Sequence, residues 1–123
     1  MSVGNKQITH LRALDADKKA VSATYSVRTG RSTDTFIIDN PVEVDGSVGA
    51  FTLTVSDGYK MGQKLLISCQ TAGNNVTVTV THHLNGGANE GGSATMDTVD
   101  QYLYLIWTGT EWDTISYSGN DIA

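Results

Sequence analysis

Apolar and polar residues alternate along most of the chain beyond residue 20, with the period of two that is typical of β-strands. The clearest run is VTVTVT, in which the valines from Val76 to Val80 share one face and the threonines share the other. AFTLTV repeats the pattern with Phe51, Leu53 and Val55. Glycine-rich and Asp-Gly turns separate these runs, so the pattern predicts a succession of short strands.

The number and spacing of the runs predict an all-β fold with a short N-terminal arm. About eight strands recur at intervals of roughly 8–12 residues, which is typical of an antiparallel β-sandwich or of a jelly-roll-like β-barrel domain. The period alone does not fix strand pairing, so both architectures remain open. The predicted strands are AVSATYSVR, DTFIID, AFTLTV, KLLISCQ, VTVTVT, a weak strand around Thr95 and Met96, QYLYLIW and EWDTISYS.

The segment 1–19 differs from the rest and is predicted to precede a single β domain at residues 20–123. Ile8, Leu11 and Leu14 recur at a spacing of three, which would line one side of a short helix. The alternative is an extended arm whose apolar residues dock onto a partner.

One strand, QYLYLIW, has apolar or aromatic residues on both faces. Such a strand is typically covered on both sides, either within the domain or by a second subunit. Edge strands of a β domain also need protection, which a symmetric oligomer supplies. The aromatic residues predicted to form a subunit interface are Tyr102, Tyr104, Trp107 and Trp112.

Composition and charge narrow the range of functions. The 123 residues suit one domain, and a charged fraction of only 17% is compatible with a strand-rich fold. Eight basic and 13 acidic residues give a net charge of −5, which disfavours nucleic acid and anionic membranes as partners. No apolar run approaches the about 20 residues of a spanning helix, and no secretory signal is expected. The single cysteine, Cys69, has apolar neighbours, which predicts a buried thiol.

Two adjacent histidines offer the most obvious candidate chemistry. His82 and His83 end the VTVTVT strand, where neighbouring side chains point to opposite faces and cannot easily bind one metal ion. His10, Glu90 or Asp97 would have to supply a third ligand, and no metal-ligand spacing is present. We therefore expect that both histidines simply lie at the surface or at the end of the strand, and that the protein holds no metal ion and no cofactor. The enzymatic alternative is a small cupin-like metalloprotein that uses His82 or His83.

The other candidate groups favour binding over catalysis. The loop NGGANEGGS lacks the following lysine and helix of a phosphate-binding loop, so it is predicted to be a flexible surface loop. Trp107 and Trp112 are candidates for a sugar-stacking platform, although core or interface anchors are the commoner role. No nucleophile, base and orienting group occur together, so the chain is not expected to be an enzyme.

The second half of the chain carries a recognisable order of motifs. An apolar strand precedes an Asp-Gly turn, Gly-Gln opens the next strand, and an Asn-x-Val-Thr-Val strand, a Gly-rich loop and a final Trp follow. The pieces are Phe51 to Val55, Ser56-Asp57-Gly58, Gly62-Gln63, Asn75 to Val80, Leu103 to Trp107, Gly109 and Trp112.

This order, over roughly residues 50–118, resembles a domain of tailed-phage virion surface proteins that recurs in head decoration (cement) proteins and in fibre proteins. Leu-Pro-Asp is frequent in the family where this chain has Val55-Ser56-Asp57. The resemblance implies a small β-rich protein of the virion, commonly a homotrimer, and brings no catalytic residues.

Together these observations predict a capsid decoration protein, made in the host cytoplasm, that binds the major capsid protein on the virion surface as a homotrimer. Apolar and basic arm residues would dock in a capsid groove. The alternative is a tail or fibre domain that binds host-surface glycan through Trp107, Trp112 and the loop 82–92. The predicted capsid-binding arm residues are Ile8, His10, Leu11, Arg12 and Leu14.

Overall fold

A computed structural model describes residues 18–84 and 91–123 of the chain. These residues form nine strands, and no α-helix occurs among them. The strands are β1 (Lys19–Val21), β2 (Tyr25–Ser26), β3 (Val42–Asp45), β4 (Phe51–Val55), β5 (Lys64–Thr71), β6 (Val76–Val80), β7 (Gly92–Met96), β8 (Tyr102–Trp107) and β9 (Trp112–Ser118).

The strands form two sheets that pack face to face as a β-sandwich, which confirms the predicted fold class. One sheet has the order β1-β3-β5-β8-β9, and the other has the order β2-β4-β6-β7. Valine, leucine and isoleucine side chains from both inner faces fill the space between the sheets, together with Trp107, Trp112 and the thiol of Cys69. The prediction of a buried thiol is confirmed, since Cys69 is 1% exposed.

Strand pairing differs from the expected antiparallel pattern. The first six strands alternate between the two sheets, so β1, β3 and β5 are parallel neighbours, and so are β2, β4 and β6. This part of the chain therefore winds around the core three times, like a parallel β-helix, and we call it the coil. Each of its three turns contributes one strand to each sheet. Only β7, β8 and β9 add as antiparallel strands. A period of two is common to parallel and antiparallel strands, so the sequence pattern did not distinguish them.

The turn in which the chain leaves β3 for the opposite sheet is stacked on the turn after β5. The backbone N–H of Gly46 donates to the carbonyl of Thr71, and the N–H of Asn74 donates to the carbonyl of Gly46, at 2.8 and 2.9 Å. The turn after β3 therefore rests on the turn after β5. A Cβ at position 46 would lie 2.6 Å from the carbonyl oxygen of Asn74, so this contact requires glycine.

Two predicted strands take other forms. AVSATYSVR divides into β1 and β2, which lie in different sheets. DTFIID is a loop with isolated bridges at Phe36 and Ile37. The loop is fixed by the buried side chain of Gln63, whose amide nitrogen donates to the carbonyls of Thr33 and Phe36. Hydrogen bonds to this side chain thus replace the regular ladder of a strand.

The C-terminal residues extend the second sheet beside β7. The backbone groups of Ala123 and Ser93 exchange two hydrogen bonds of 3.1 Å, and the side chain of Ile122 is fully buried. This tail closes one side of the sandwich.

The predicted arm lies almost wholly outside the described residues, including Ile8, His10, Leu11, Arg12 and Leu14. Of the segment 1–19, Lys18 forms an ion pair with Glu43 and Lys19 begins β1. Within the described ranges, no helix has the length and hydropathy needed to cross a membrane.

Candidate functional site

A cleft of about 120 Å³ opens on the outer face of the five-stranded sheet. Leu66 of β5 lies between two walls, and Tyr104 of β8 is its direct partner in the strand pairing. Tyr102 continues the same wall, while the loop before β3 forms the other. We call this site the tyrosine cleft; its lining residues are Phe36, Asn40, Pro41, Leu66, Tyr102 and Tyr104.

Alternation on β8 places the tyrosines in the cleft. Leu103, Leu105 and Trp107 point into the core, so Tyr102 and Tyr104 face outward and are half-buried. The tyrosine side chain has an apolar ring and a polar hydroxyl, and it suits a surface that binds a partly apolar ligand.

A buried carboxylate fixes the opposite wall. The Nε and Nη2 atoms of Arg28 donate to Oδ1 of Asp39 at 3.0 and 2.8 Å, and the Tyr25 hydroxyl donates to Oδ2. Burial alone would raise the pKa of Asp39, but the hydrogen bonds from Arg28 and Tyr25 outweigh burial and the pKa is lowered. The carboxylate therefore stays charged and ties the start of the loop to its end.

Asn40 is the one amide side chain in the lining of the cleft. It is 2% exposed, and its Oδ1 accepts a hydrogen bond of 2.7 Å from the backbone N–H of Leu66. Its Nδ2 donates no hydrogen bond to any part of the chain that the structure describes. Every fully buried side-chain N or O atom among these residues has a partner, so Nδ2 keeps contact with solvent.

The two tryptophans lie in the core of a single chain. Trp107 and Trp112 are 5% and 0% exposed, and their rings meet edge to face at 5.5 Å. Nε1 of Trp112 donates to the carbonyl of Ser56, and Gly58 packs on the Trp107 ring so closely that a Cβ would lie 2.5 Å away. Neither ring offers a face to a sugar or a second subunit. For Tyr102 and Tyr104, the interface remains a prediction.

The Gly-Gln motif has a structural role. Gly62 has a φ of 93°, which favours glycine, and its N–H donates to the carbonyl of Trp107 at 2.7 Å. The fully buried Gln63 accepts hydrogen bonds from the N–H groups of Tyr59 and Lys60 through Oε1. Its amide nitrogen holds the loop that carries Phe36, so the motif supports the cleft from behind.

The adjacent histidines have separate partners. His82 Nδ1 lies 2.6 Å from a carboxylate oxygen of Asp57, whereas His83 is buried with Nε2 2.9 Å from Oγ1 of Thr114. The Thr114 hydroxyl also donates to Asp121 at 2.6 Å. No cluster of three metal-binding side chains occurs within residues 18–84 and 91–123.

Hydrogen bonds link His83 to Thr114 and Thr114 to Asp121. They hold the C-terminal tail in place without activating the Thr114 hydroxyl as a nucleophile. A carboxylate only accepts hydrogen bonds, so the Thr114 proton goes to Asp121 and the imidazole donates its own N–H to Thr114. A nucleophilic hydroxyl would need the reverse arrangement, with its proton directed at the imidazole. Burial lowers the pKa of His83 despite the nearby carboxylates of Asp121, Asp113 and Glu111.

Sequence reasoning singled out the residues of one wall of the cleft, in another role, and missed the other wall. The sequence predicts Tyr102 and Tyr104 as residues of a subunit interface and not as the wall of a cleft. Phe36, Asn40 and Pro41 were assigned to a strand and its end, and Leu66 to a buried strand. The Asn40-Pro41 pair, which follows an apolar segment, was the signal in the sequence for this second wall. Its position beside β5 depends on contacts with residues far along the chain, such as the hydrogen bond between Asn40 and Leu66.

Comparison with known protein families agrees with this architecture. The family described as phage depolymerase C-terminal beta sandwich domain matches residues 19–113. The chain belongs to this family. It is therefore a virion-associated bacteriophage structural domain, and the match is not specific to head decoration proteins. A search of curated proteins gave no match to the chain.

Proposed function

We propose that this domain belongs to a phage tail or fibre and binds a glycan of the host surface through the tyrosine cleft. The observation that carries the proposal is the pair Tyr102 and Tyr104, which faces outward beside a preformed cavity. Pyranose rings have apolar C–H faces that pack on aromatic rings, and small-ligand sites are typically concave and mostly apolar. The family membership supports a tail or fibre location.

We further propose that the cleft binds without catalysis. Glycoside hydrolysis generally uses a pair of carboxyl groups on either side of the scissile bond, and the lining of the cleft supplies none. The Thr114 hydroxyl, which lies beside an imidazole and a carboxylate, directs its proton away from the imidazole. Neither the lining of the cleft nor the Thr114 hydroxyl supports an enzymatic role. We therefore propose adhesion to a host-surface glycan as the function.

Binding of the chain to an array of bacterial capsular and O-antigen polysaccharides tests this function. Tyr104→Ala removes one ring of the cleft without touching the core, and we expect at least tenfold weaker binding, about 1.4 kcal/mol. Tyr59→Ala is the matched control, because Tyr59 is an aromatic residue with 66% exposure outside the cleft. Equal binding by wild type and Tyr104→Ala would exclude the cleft as the glycan site.

Capsid decoration is the competing function, and it rests on the arm from Ile8 to Leu14 and on the predicted homotrimer. Quantitative mass spectrometry of purified virions separates the two locations. A tail or fibre domain is expected at a handful of copies per particle. A copy number comparable to that of the major capsid protein would instead support the decoration function and return attention to the arm.

A further inference from the structure

We propose that the tyrosine cleft recognises the acetyl group of an acetylated sugar, a specificity that rests on the glycan-binding function proposed above. The cavity is too apolar for a bare sugar ring. Leu66, Phe36 and Pro41 offer carbon atoms, whereas a sugar has hydroxyl groups on most of its carbons. Each hydroxyl that loses water without gaining a partner weakens binding, so the substituent that enters must be mainly apolar.

Asn40 adds one hydrogen-bond donor to this apolar cavity. Its Oδ1 is occupied by the Leu66 N–H, which fixes the orientation of the side-chain amide and leaves Nδ2 as the unpaired atom. Because Asn40 lines the cleft and is 2% exposed, the remaining solvent contact of Nδ2 points to the cavity. A ligand group that fits must combine an apolar end with a hydrogen-bond acceptor.

An acetyl group has this combination. Its carbonyl oxygen would accept from Nδ2 of Asn40, and its methyl group would pack between Phe36, Pro41 and Leu66. A cavity of about 120 Å³ is comparable to the roughly 150 Å³ engineered cavity that holds benzene, so an acetyl group enters without crowding. The sugar ring would stay at the opening, against Tyr102 and Tyr104, where its hydroxyl groups remain in water.

The test compares neutral sugars that differ only in this group. Saturation-transfer NMR with N-acetylglucosamine and glucose, and with N-acetylgalactosamine and galactose, measures both affinity and the protons in contact with the protein. We expect binding of the acetamido sugars only, with the strongest saturation on the acetyl methyl. Mild alkali treatment of polysaccharides that bind on the array removes O-acetyl esters and shows whether an ester, rather than an amide, supplies the acetyl group.

Asn40→Asp is the matched variant. It keeps the oxygen that accepts from Leu66 and replaces the donor by a second oxygen, which repels an acetyl carbonyl. We expect at least tenfold weaker binding of the acetylated ligand and unchanged binding by Tyr59→Ala. If Asn40→Asp fails to fold, the methyl saturation of the wild-type complex decides the question alone.

The outcomes separate this inference from the function on which it rests. Suppose that polysaccharide binding depends on Tyr104 but does not change with the N-acetyl amide or the O-acetyl ester. This result would overturn the acetyl specificity and keep the glycan-binding function. Saturation of ring protons without the methyl would do the same. If the wild-type chain binds no carbohydrate in either assay, both the acetyl specificity and the glycan-binding function are overturned.

Discussion

The imidazole of His83 connects three separate parts of the chain. It follows β6, donates to Thr114 of β9 and, through that hydroxyl, reaches Asp121 of the C-terminal tail. The bond to Thr114 needs a proton on Nε2, which the neutral imidazole already carries. A second proton would place a charge in a buried site, so the folded chain favours the neutral form.

We therefore expect stability to depend on pH between neutrality and mild acid. The unfolded chain protonates His83 near pH 6.5. The folded chain holds the pKa below this value, so the unfolded state binds more protons as the pH falls and the free energy of unfolding decreases. Urea unfolding at pH 7.5 and pH 5 measures this difference. It should shrink in His83→Gln and persist in His82→Gln; an unchanged pH dependence in His83→Gln would contradict the assignment.

At the scale of elements, the turns matter as much as the strands. The turn after β3 and the turn after β5 are joined through Gly46 and Asn74, whose side-chain amide also donates to the Gly46 carbonyl at 2.8 Å. Because both partners are backbone or short side chains, the contact has little room to adjust. The stacking of the coil therefore depends on one glycine.

Gly46→Ala should lower the free energy of unfolding by about 1–3 kcal/mol, the usual cost of overpacking a close contact. The added methyl would meet a carbonyl oxygen and not the flexible end of a side chain. Gly49→Ala is the matched control, because a Cβ there has no neighbour within 4 Å. It should be neutral or slightly stabilising. Chemical denaturation of both variants provides the comparison, and equal stability would show that the turns move apart freely.

The sequence predicted individual strands better than it predicted their arrangement. VTVTVT and AFTLTV became β6 and β4 because their alternation matches one buried face. AVSATYSVR alternates equally well, yet the chain changes sheets within it, and no local signal marks that crossing. The wall of the cleft around Asn40 depends on Asp39 and Gln63, whose partners lie far away in the sequence. Local periodicity contains no information on such contacts.

For the molecule as a whole, the sandwich has one core that both sheets share. Cys69 of β5 reports on it, because its thiol is 1% exposed and lies among apolar side chains from both sheets. Burial raises the pKa of this thiol, with a further contribution from the carboxylates of Asp97, Asp45 and Asp100. Both effects suppress the reactive thiolate in the folded chain.

Cys69 should react with a thiol reagent only when the whole domain unfolds. Labelling across a urea series should follow the same midpoint as the fluorescence of the two buried tryptophans, as expected of a small cooperative domain. Fully denatured protein gives the reference for complete labelling. Modification at urea concentrations that leave the fluorescence unchanged would reveal partial opening around β5 and contradict a single cooperative unit.

The coil of parallel strands also has an evolutionary consequence. Its first turn, β1 and β2, lies at an edge of both sheets, whereas β7, β8 and β9 add antiparallel strands on the other side. A duplication that inserted one more strand–turn–strand unit at the first edge would extend both sheets and leave the tyrosine cleft untouched. We expect homologues of different length to vary by whole strand–turn–strand units at that edge, so that the sandwich becomes longer while the cleft keeps its shape.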